Sequence, residues 1–149
     1  MPAHARIFLP ALVAGFGLAA AGLACAGGGV AAEPTTVRVL ADKPWTDTGI
    51  DLHLDDRVTI EYVSGEWSPW PGDSFDALGS GGDPHCDCNV ILGASHAALI
   101  GRIGDSEPFL VGEDYTGAAG EPGRLYLGIN DSRLDDNSGS IRVRVRVLR

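Results

Sequence analysis

Short runs in which apolar and polar residues alternate recur from about residue 35 to the end of the chain, and no stretch sustains a helical period. The clearest run is the last, where Ile141, Val143, Val145 and Val147 alternate with Arg142, Arg144 and Arg146. Period-two alternation with β-branched residues on one side predicts a half-buried strand of an antiparallel sheet, apolar inside and cationic outside. Similar runs predict strands from Thr35 to Leu40, Arg57 to Trp67, Ala97 to Ile103, Phe109 to Val111 and Arg124 to Ile129. In the second of these, Val58, Ile60 and Tyr62 alternate with Thr59, Glu61 and Val63, and Asp55-Asp56 ahead of it reads as a turn. Six or more short strands without a helix imply an all-β fold of two packed antiparallel sheets. The stretch from Ser68 to Asn89, with Pro69, Pro71, Pro84 and several glycines, reads as a long structured loop or pair of loops, and loops of that length tend to be functional. Trp67, at a strand end, reads as core.

The N-terminus has a different pattern. Weak positive charge at His4 and Arg6 precedes an apolar run from Ile7 to Ala24, then small residues through Ala32. That is the order of a secretory signal, and Pro10, the glycines and the small-residue ending argue against a permanent membrane span. Cleavage sites fit at Ala24-Cys25-Ala26 and at Val30-Ala31-Ala32, the second leaving Glu33 first. Leu23-Ala24-Cys25 also resembles the end of a lipoprotein signal, so a lipid anchor at Cys25 ranks behind plain cleavage. The expected organisation is a signal and spacer over 1–32 and one exported domain over 33–149, enough for one core.

Charge narrows the partners. The chain carries a formal net charge of −9, with 20 acidic residues against 11 basic ones. Nucleic-acid affinity rests on lysine and arginine neutralising phosphates, so such a chain suits cations and neutral ligands better. The arginine stripe is accordingly read as a solvated face balanced by neighbouring carboxylates.

Candidate chemistry lies in two places. Asp83, His85, Cys86, Asp87 and Cys88 include zinc- or copper-ligand types, but their spacing is too tight for a common structural zinc motif. A bridge between Cys86 and Cys88 is strained by the geometry that disulfides require, which leaves free thiols, bonds to another chain or an unusual tight ring open. The second place is Asn130-Asp131-Ser132-Arg133-Leu134-Asp135-Asp136-Asn137, which offers five carboxylate or carboxamide side chains within eight residues. Calcium takes six to eight oxygens of these kinds, although the loop does not match the helix-loop-helix calcium pattern. Composition alone also fits a hairpin loop whose side chains bond their own backbone. His53 and His96 read as packing or surface residues. A nucleophile elbow, a phosphate-cradling loop and a paired-histidine metal helix are all absent, so the chain is read as a non-enzyme.

Four segments carry a resemblance over nearly the whole mature chain: Pro44-Trp45-Thr46-Asp47-Thr48-Gly49-Ile50, Ala98-Leu99-Ile100-Gly101-Arg102-Ile103-Gly104, Gly123-Arg124-Leu125-Tyr126-Leu127-Gly128-Ile129-Asn130-Asp131 and Asp136-Asn137-Ser138-Gly139-Ser140. They resemble the PA-I type galactophilic, calcium-dependent bacterial lectins and their exported relatives. The resemblance implies a small jelly-roll-like β-sandwich, galactose-binding-like, with one Ca2+ at its edge that coordinates two sugar hydroxyls. It implies Asp131, Asp136 and Asn137 as side-chain metal ligands. Backbone carbonyls are expected from Pro69 or Trp70, after the second long strand, and from Arg133, in a loop shorter than the lectin's. Asp131, Asp136, His85 and Trp70 are the implied ligand-binding residues. The family uses a histidine and a glutamine from its middle loop; this chain has no glutamine, and His85 stands in Asp83-Pro84-His85 rather than His-Pro-Asp order. The expected function is binding of a neutral saccharide or glycoconjugate, a galactose-like hexose, outside the cytoplasm. The alternative is a calcium-stabilised envelope interaction domain without sugar binding. Association into a homo-oligomer would add avidity and stays open.

Overall fold

The computed structural model describes residues 32–81 and 87–149. The proposed signal and Cys25 lie outside them. So do His85 and Cys86. Eight strands form: β1 (Thr35–Leu40), β2 (Thr46–Leu52), β3 (Arg57–Ser68), β4 (Leu99–Ile103), β5 (Phe109–Leu110), β6 (Asp114–Ala118), β7 (Gly123–Ile129) and β8 (Ser138–Leu148). They make two four-stranded sheets, ordered β1-β8-β3-β6 and β2-β7-β4-β5, and every pairing is antiparallel. The sheets pack as a sandwich, so the all-β reading holds.

Alternation does the sorting. From β8, Ile141, Val143, Val145 and Val147 point inward, and Val37, Val39, Val58, Ile60, Leu125, Leu127 and Ile129 meet them from neighbouring strands and the opposite sheet. Trp67 is 1% exposed, and its indole N–H donates to the Ala97 carbonyl at 2.9 Å, which ties the end of β3 across to the start of β4. Ala97 has φ 61°, a left-handed conformation that costs an alanine strain. That kink is why β4 begins at Leu99 rather than at Ala97. Val111 falls just past β5, although its N–H still bonds the Leu99 carbonyl at 2.9 Å.

Two strands escape the sequence pattern. In β2, Asp47 and Asp51 face outward and pair with Arg124 of β7 at 3.5 and 2.9 Å, while the Thr48 hydroxyl donates inward to the Leu125 carbonyl at 2.7 Å. An edge strand held by cross-strand ion pairs and a buried hydroxyl shows no hydrophobic alternation to read. Strand β6 is five residues long and contributes Tyr115, whose ring packs on Phe109 with centroids 4.6 Å apart.

The two outer faces differ. On the β2-β7-β4-β5 sheet, the Arg102 guanidinium lies over Trp45 at 4.7 Å and over Tyr126 at 5.1 Å, so charge and apolar rings cover one another. Trp45 fits because Gly128 beneath it has no side chain: a Cβ there would come within 2.6 Å of the Pro44 carbonyl and 3.2 Å of the indole. The outer face of β1-β8-β3-β6 carries the arginine stripe, and there the balance by carboxylates is thin. Arg144 pairs with Glu61 at 3.5 Å, whereas Arg142 and Arg146 form no ion pair among the described residues.

The turn into β3 is fixed by Asp56, not only by its sequence neighbour Asp55 (φ 66°). The Asp56 carboxylate is buried and accepts the His53 backbone N–H at 2.9 Å, with the His53 ring at 3.3 Å and Arg149 Nε at 3.4 Å. The backbone hydrogen bond from His53, aided by the His53 side chain and Arg149 and opposed by burial, holds this carboxyl below its ordinary 3.8. A depressed folded-state pKa contributes stability above the unfolded value and loses it as pH falls through the folded one. Asp56→Asn is therefore expected to be less stable than wild type at neutral pH, with the gap closing below about pH 4; urea denaturation over a pH series measures it.

Candidate functional site

Register brings the predicted loop together with two others at one end of the sandwich. Ser68 lies opposite Ser138, so Pro69 and Trp70 leave the first sheet beside Asn137. Leu99 lies opposite Ile129, so Asn130 and Asp131 leave the second sheet beside His96, Ala97 and Ala98. The turn after β1 joins them, since Ala41 N–H donates to the Gly139 carbonyl at 3.2 Å. Gly139 has φ +87°, and a Cβ there would stand 2.7 Å from the Glu66 carbonyl, so only glycine fits this bend at the entry to β8.

Asn130 anchors the loop. It is fully buried; its carboxamide oxygen accepts the Ile91 N–H at 2.7 Å and its nitrogen donates to the Ile91 and Ser95 carbonyls at 3.2 and 3.0 Å. Ser132 holds the preceding part of that loop, its N–H and hydroxyl both donating to the Cys88 carbonyl, at 2.6 and 2.7 Å.

Asp131 follows, 3% exposed. One carboxylate oxygen accepts the Arg133 N–H at 2.9 Å, and the other lies 3.8 Å from His96 Nε2. His96 is buried, and its Nδ1 sits 2.7 Å from the Asn89 carboxamide oxygen, whose amide nitrogen donates to the Ala94 carbonyl at 3.1 Å. That network assigns the proton to Nδ1 and turns Nε2 toward Asp131. The imidazole stacks on Trp70 with centroids 5.4 Å apart and planes within 6°. Trp70 is fixed in turn by its indole N–H on Asp73 at 2.7 Å and by Phe75 edge-on at 5.5 Å, and the Ser68 hydroxyl holds its carbonyl.

Asn137 closes the arrangement. It is 8% exposed and donates Nδ2 to the Ala41 carbonyl at 3.2 Å, while its carboxamide oxygen Oδ1 is buried with no hydrogen-bond partner among the described residues. A buried acceptor left unmatched costs about 1–3 kcal/mol, so it calls for a partner.

Of the residues singled out from sequence, Trp70 meets Asp131 through His96, and Pro69 leaves β3 beside Asn137, all in loops at this end of the sandwich. Asp136 is exposed beside Asn137, and Arg133, also exposed, reaches Asp131 through its backbone N–H. His85 lies outside the described residues. His96 was read only as a packing or surface residue, yet it links Trp70 to Asp131; nothing in its spacing announces that, because Asn89 and Trp70 reach it across loops.

Cys88, His96 and Asp131 place ligand-type atoms within 4.8 Å of one another. Cys88 is disulfide-bonded, so its sulfur is no thiolate and the cluster does not make a soft-metal site. The side-chain oxygens of Asp131 and Asn137 and the Trp70 carbonyl, in loops at this end of the sandwich, are of the ligand type that a hard cation such as calcium takes.

No protein-family model and no curated protein matches this chain. Among solved structures it is similar to one described as "EclA N-terminal domain; PllA-like lectin", at 22% identity and a TM-score of 0.57, over 75% of this chain and 94% of that one. The chain has the fold of that lectin domain. The structural likeness supports the sandwich, and at 22% identity the loops are argued from their own chemistry.

If Asn130 is what braces the loop end, Asn130→Ala should leave the Ile91 N–H unpaired, remove the side-chain bonds to the Ile91 and Ser95 carbonyls and cost about 1–3 kcal/mol, read as a lowered midpoint in chemical denaturation.

Proposed function

We propose that the chain is a lectin-like domain that binds a neutral, galactose-like saccharide through a calcium ion held at the loop end. The observations that carry this are the buried carboxylate of Asp131 and the buried Asn137 Oδ1, which has no hydrogen-bond partner among the described residues, in loops at the same end of the sandwich. A buried carboxylate and a buried unmatched carboxamide oxygen each favour a cation or a donor nearby. The likeness to a lectin domain supports the saccharide part of the reading.

On this account Asp131 supplies charge, Asn137 a neutral oxygen and the loop after β3 a main-chain carbonyl. The Arg133 N–H orients the Asp131 carboxylate, in the way outer partners orient metal ligands. Asp136, exposed at the rim, adds negative charge and faces what approaches from solvent. Calcium, when bound, offers coordination positions at which two adjacent sugar hydroxyls replace water, which would select sugars by hydroxyl geometry. Trp70 gives one face to His96, so its contribution to a sugar is the part of the ring left exposed. The apolar run at Ile7–Ala24 supports an exported protein.

A calcium-stabilised interaction domain without sugar affinity is the second reading, favoured by the absence of glutamine from the chain. Calorimetric titration with calcium, followed by galactose and other monosaccharides, separates the two. Calcium is expected to bind and to stabilise the fold by about 2.7 kcal/mol at a hundredfold excess over Kd, with galactose binding only after it. Asp131→Asn is expected to weaken calcium at least about tenfold, the loss of one charged ligand, and to remove the sugar heat. Calcium without any sugar would support the second reading, and a folded protein that takes up neither would overturn both.

A further inference from the structure

The outer face of the β1-β8-β3-β6 sheet is the least explained surface of the molecule. Residues directly opposite in a ladder share a face. Arg38 of β1 lies opposite Arg142 of β8, Arg144 opposite Glu61 of β3, and Arg146 opposite Thr59. Arg57, two residues before Thr59, joins them, while the intervening Val37, Val39, Val58, Ile60 and the β8 valines are in the core. Five of the eleven basic residues of an acidic chain thus gather on one sheet face. Three carboxylates share it, and each is committed or lateral: Glu61 pairs with Arg144, Glu66 accepts the Ser74 hydroxyl at 2.8 Å, and Asp114 lies on the edge strand β6. Arg38 spends one N–H on Ser140 at 2.8 Å, and Arg57, Arg142 and Arg146 form no ion pair among the described residues.

We infer that this sheet face docks an acidic polysaccharide, at a site separate from the calcium loops. Guanidinium groups recur about every 7 Å along β8 and step about 5 Å across to β1 and β3, a flat array suited to an extended chain bearing repeated carboxylates or sulfates. Guanidinium is the group that grips such anions with two parallel hydrogen bonds. Between the arginines stand the hydroxyls of Thr36, Thr59, Thr116 and Ser140, which suit sugar hydroxyls. The residues that the register turns outward include no aromatic ring on which a nucleobase could stack, and the exposed large apolar ones on these strands, Leu148 and Val63 at the β3 bulge, are too few to insert into a bilayer. The inference does not depend on the calcium reading.

The full chain, in chelator so that calcium plays no part, should bind immobilised alginate, a polyuronate, and not neutral dextran, with affinity falling as salt rises. The double variant Arg142→Glu, Arg146→Glu should lose about tenfold or more in alginate affinity, since each reversed exposed pair contributes a fraction of that, while its melting temperature and its calcium titration stay as in wild type. Arg142→Gln, Arg146→Gln gives a smaller loss and serves if charge reversal disturbs folding. Retention on alginate no greater than on dextran would overturn the inference. So would unchanged alginate binding by a folded double variant, or tighter binding to phosphatidylglycerol vesicles or duplex DNA at the same salt.

Discussion

Because Arg57 lies opposite Leu148 and Ser68 opposite Ser138, the two longest strands, β3 and β8, run together along their whole length. That one register decides which side of β8 is buried. A slip of one residue would send the valines to solvent and the arginines into the core, at a cost no sandwich of this size could absorb. It also sets where each strand stops, and so delivers Asn137 beside Pro69 and Trp70. Core, cationic face and loop end are three consequences of a single pairing.

The loop end illustrates how a stable frame holds groups that do not stabilise it. Asn130 and Ser132 spend their hydrogen-bonding capacity on bracing the loop that contains Ile91 and Ser95 and the carbonyl of Cys88. With that brace in place, Asp131 and Asn137 stay buried although Asn137 Oδ1 has no partner among the described residues. A chain selected for stability alone would fill such a position with a matched or apolar side chain. Keeping it is consistent with a site built for a cation, and at the same end Trp70 stacks on His96, which faces Asp131.

Much of this was legible in the residues. Strands whose inner face is a run of valine, isoleucine or leucine announced themselves through period two, as in β1, β3, β7 and β8. The loop from Asn130 to Asn137 stood out because oxygen-bearing side chains are dense there. What stayed hidden depends on distance in sequence. Strand β2 forms through Asp47 and Asp51 on Arg124, more than seventy residues away. His96 gains its place from Asn89 on one side and Trp70 on the other, and its own neighbours, Ser95 and Ala97, say nothing of either. The outward arginines were read as balanced, since a strand's own sequence does not show what lies across the ladder; Arg38 facing Arg142 is a fact of pairing.

The central claim is that Asp131 and Asn137 hold a hard cation next to Trp70. Terbium titration tests it most directly, because Tb3+ takes calcium's oxygen ligands and emits when a nearby indole is excited. The account predicts sensitised emission that saturates, is displaced by calcium, and is lost in Asn137→Ala, whose carboxamide oxygen is the unmatched acceptor. Emission absent from the folded wild type, or unchanged by that substitution, would contradict it.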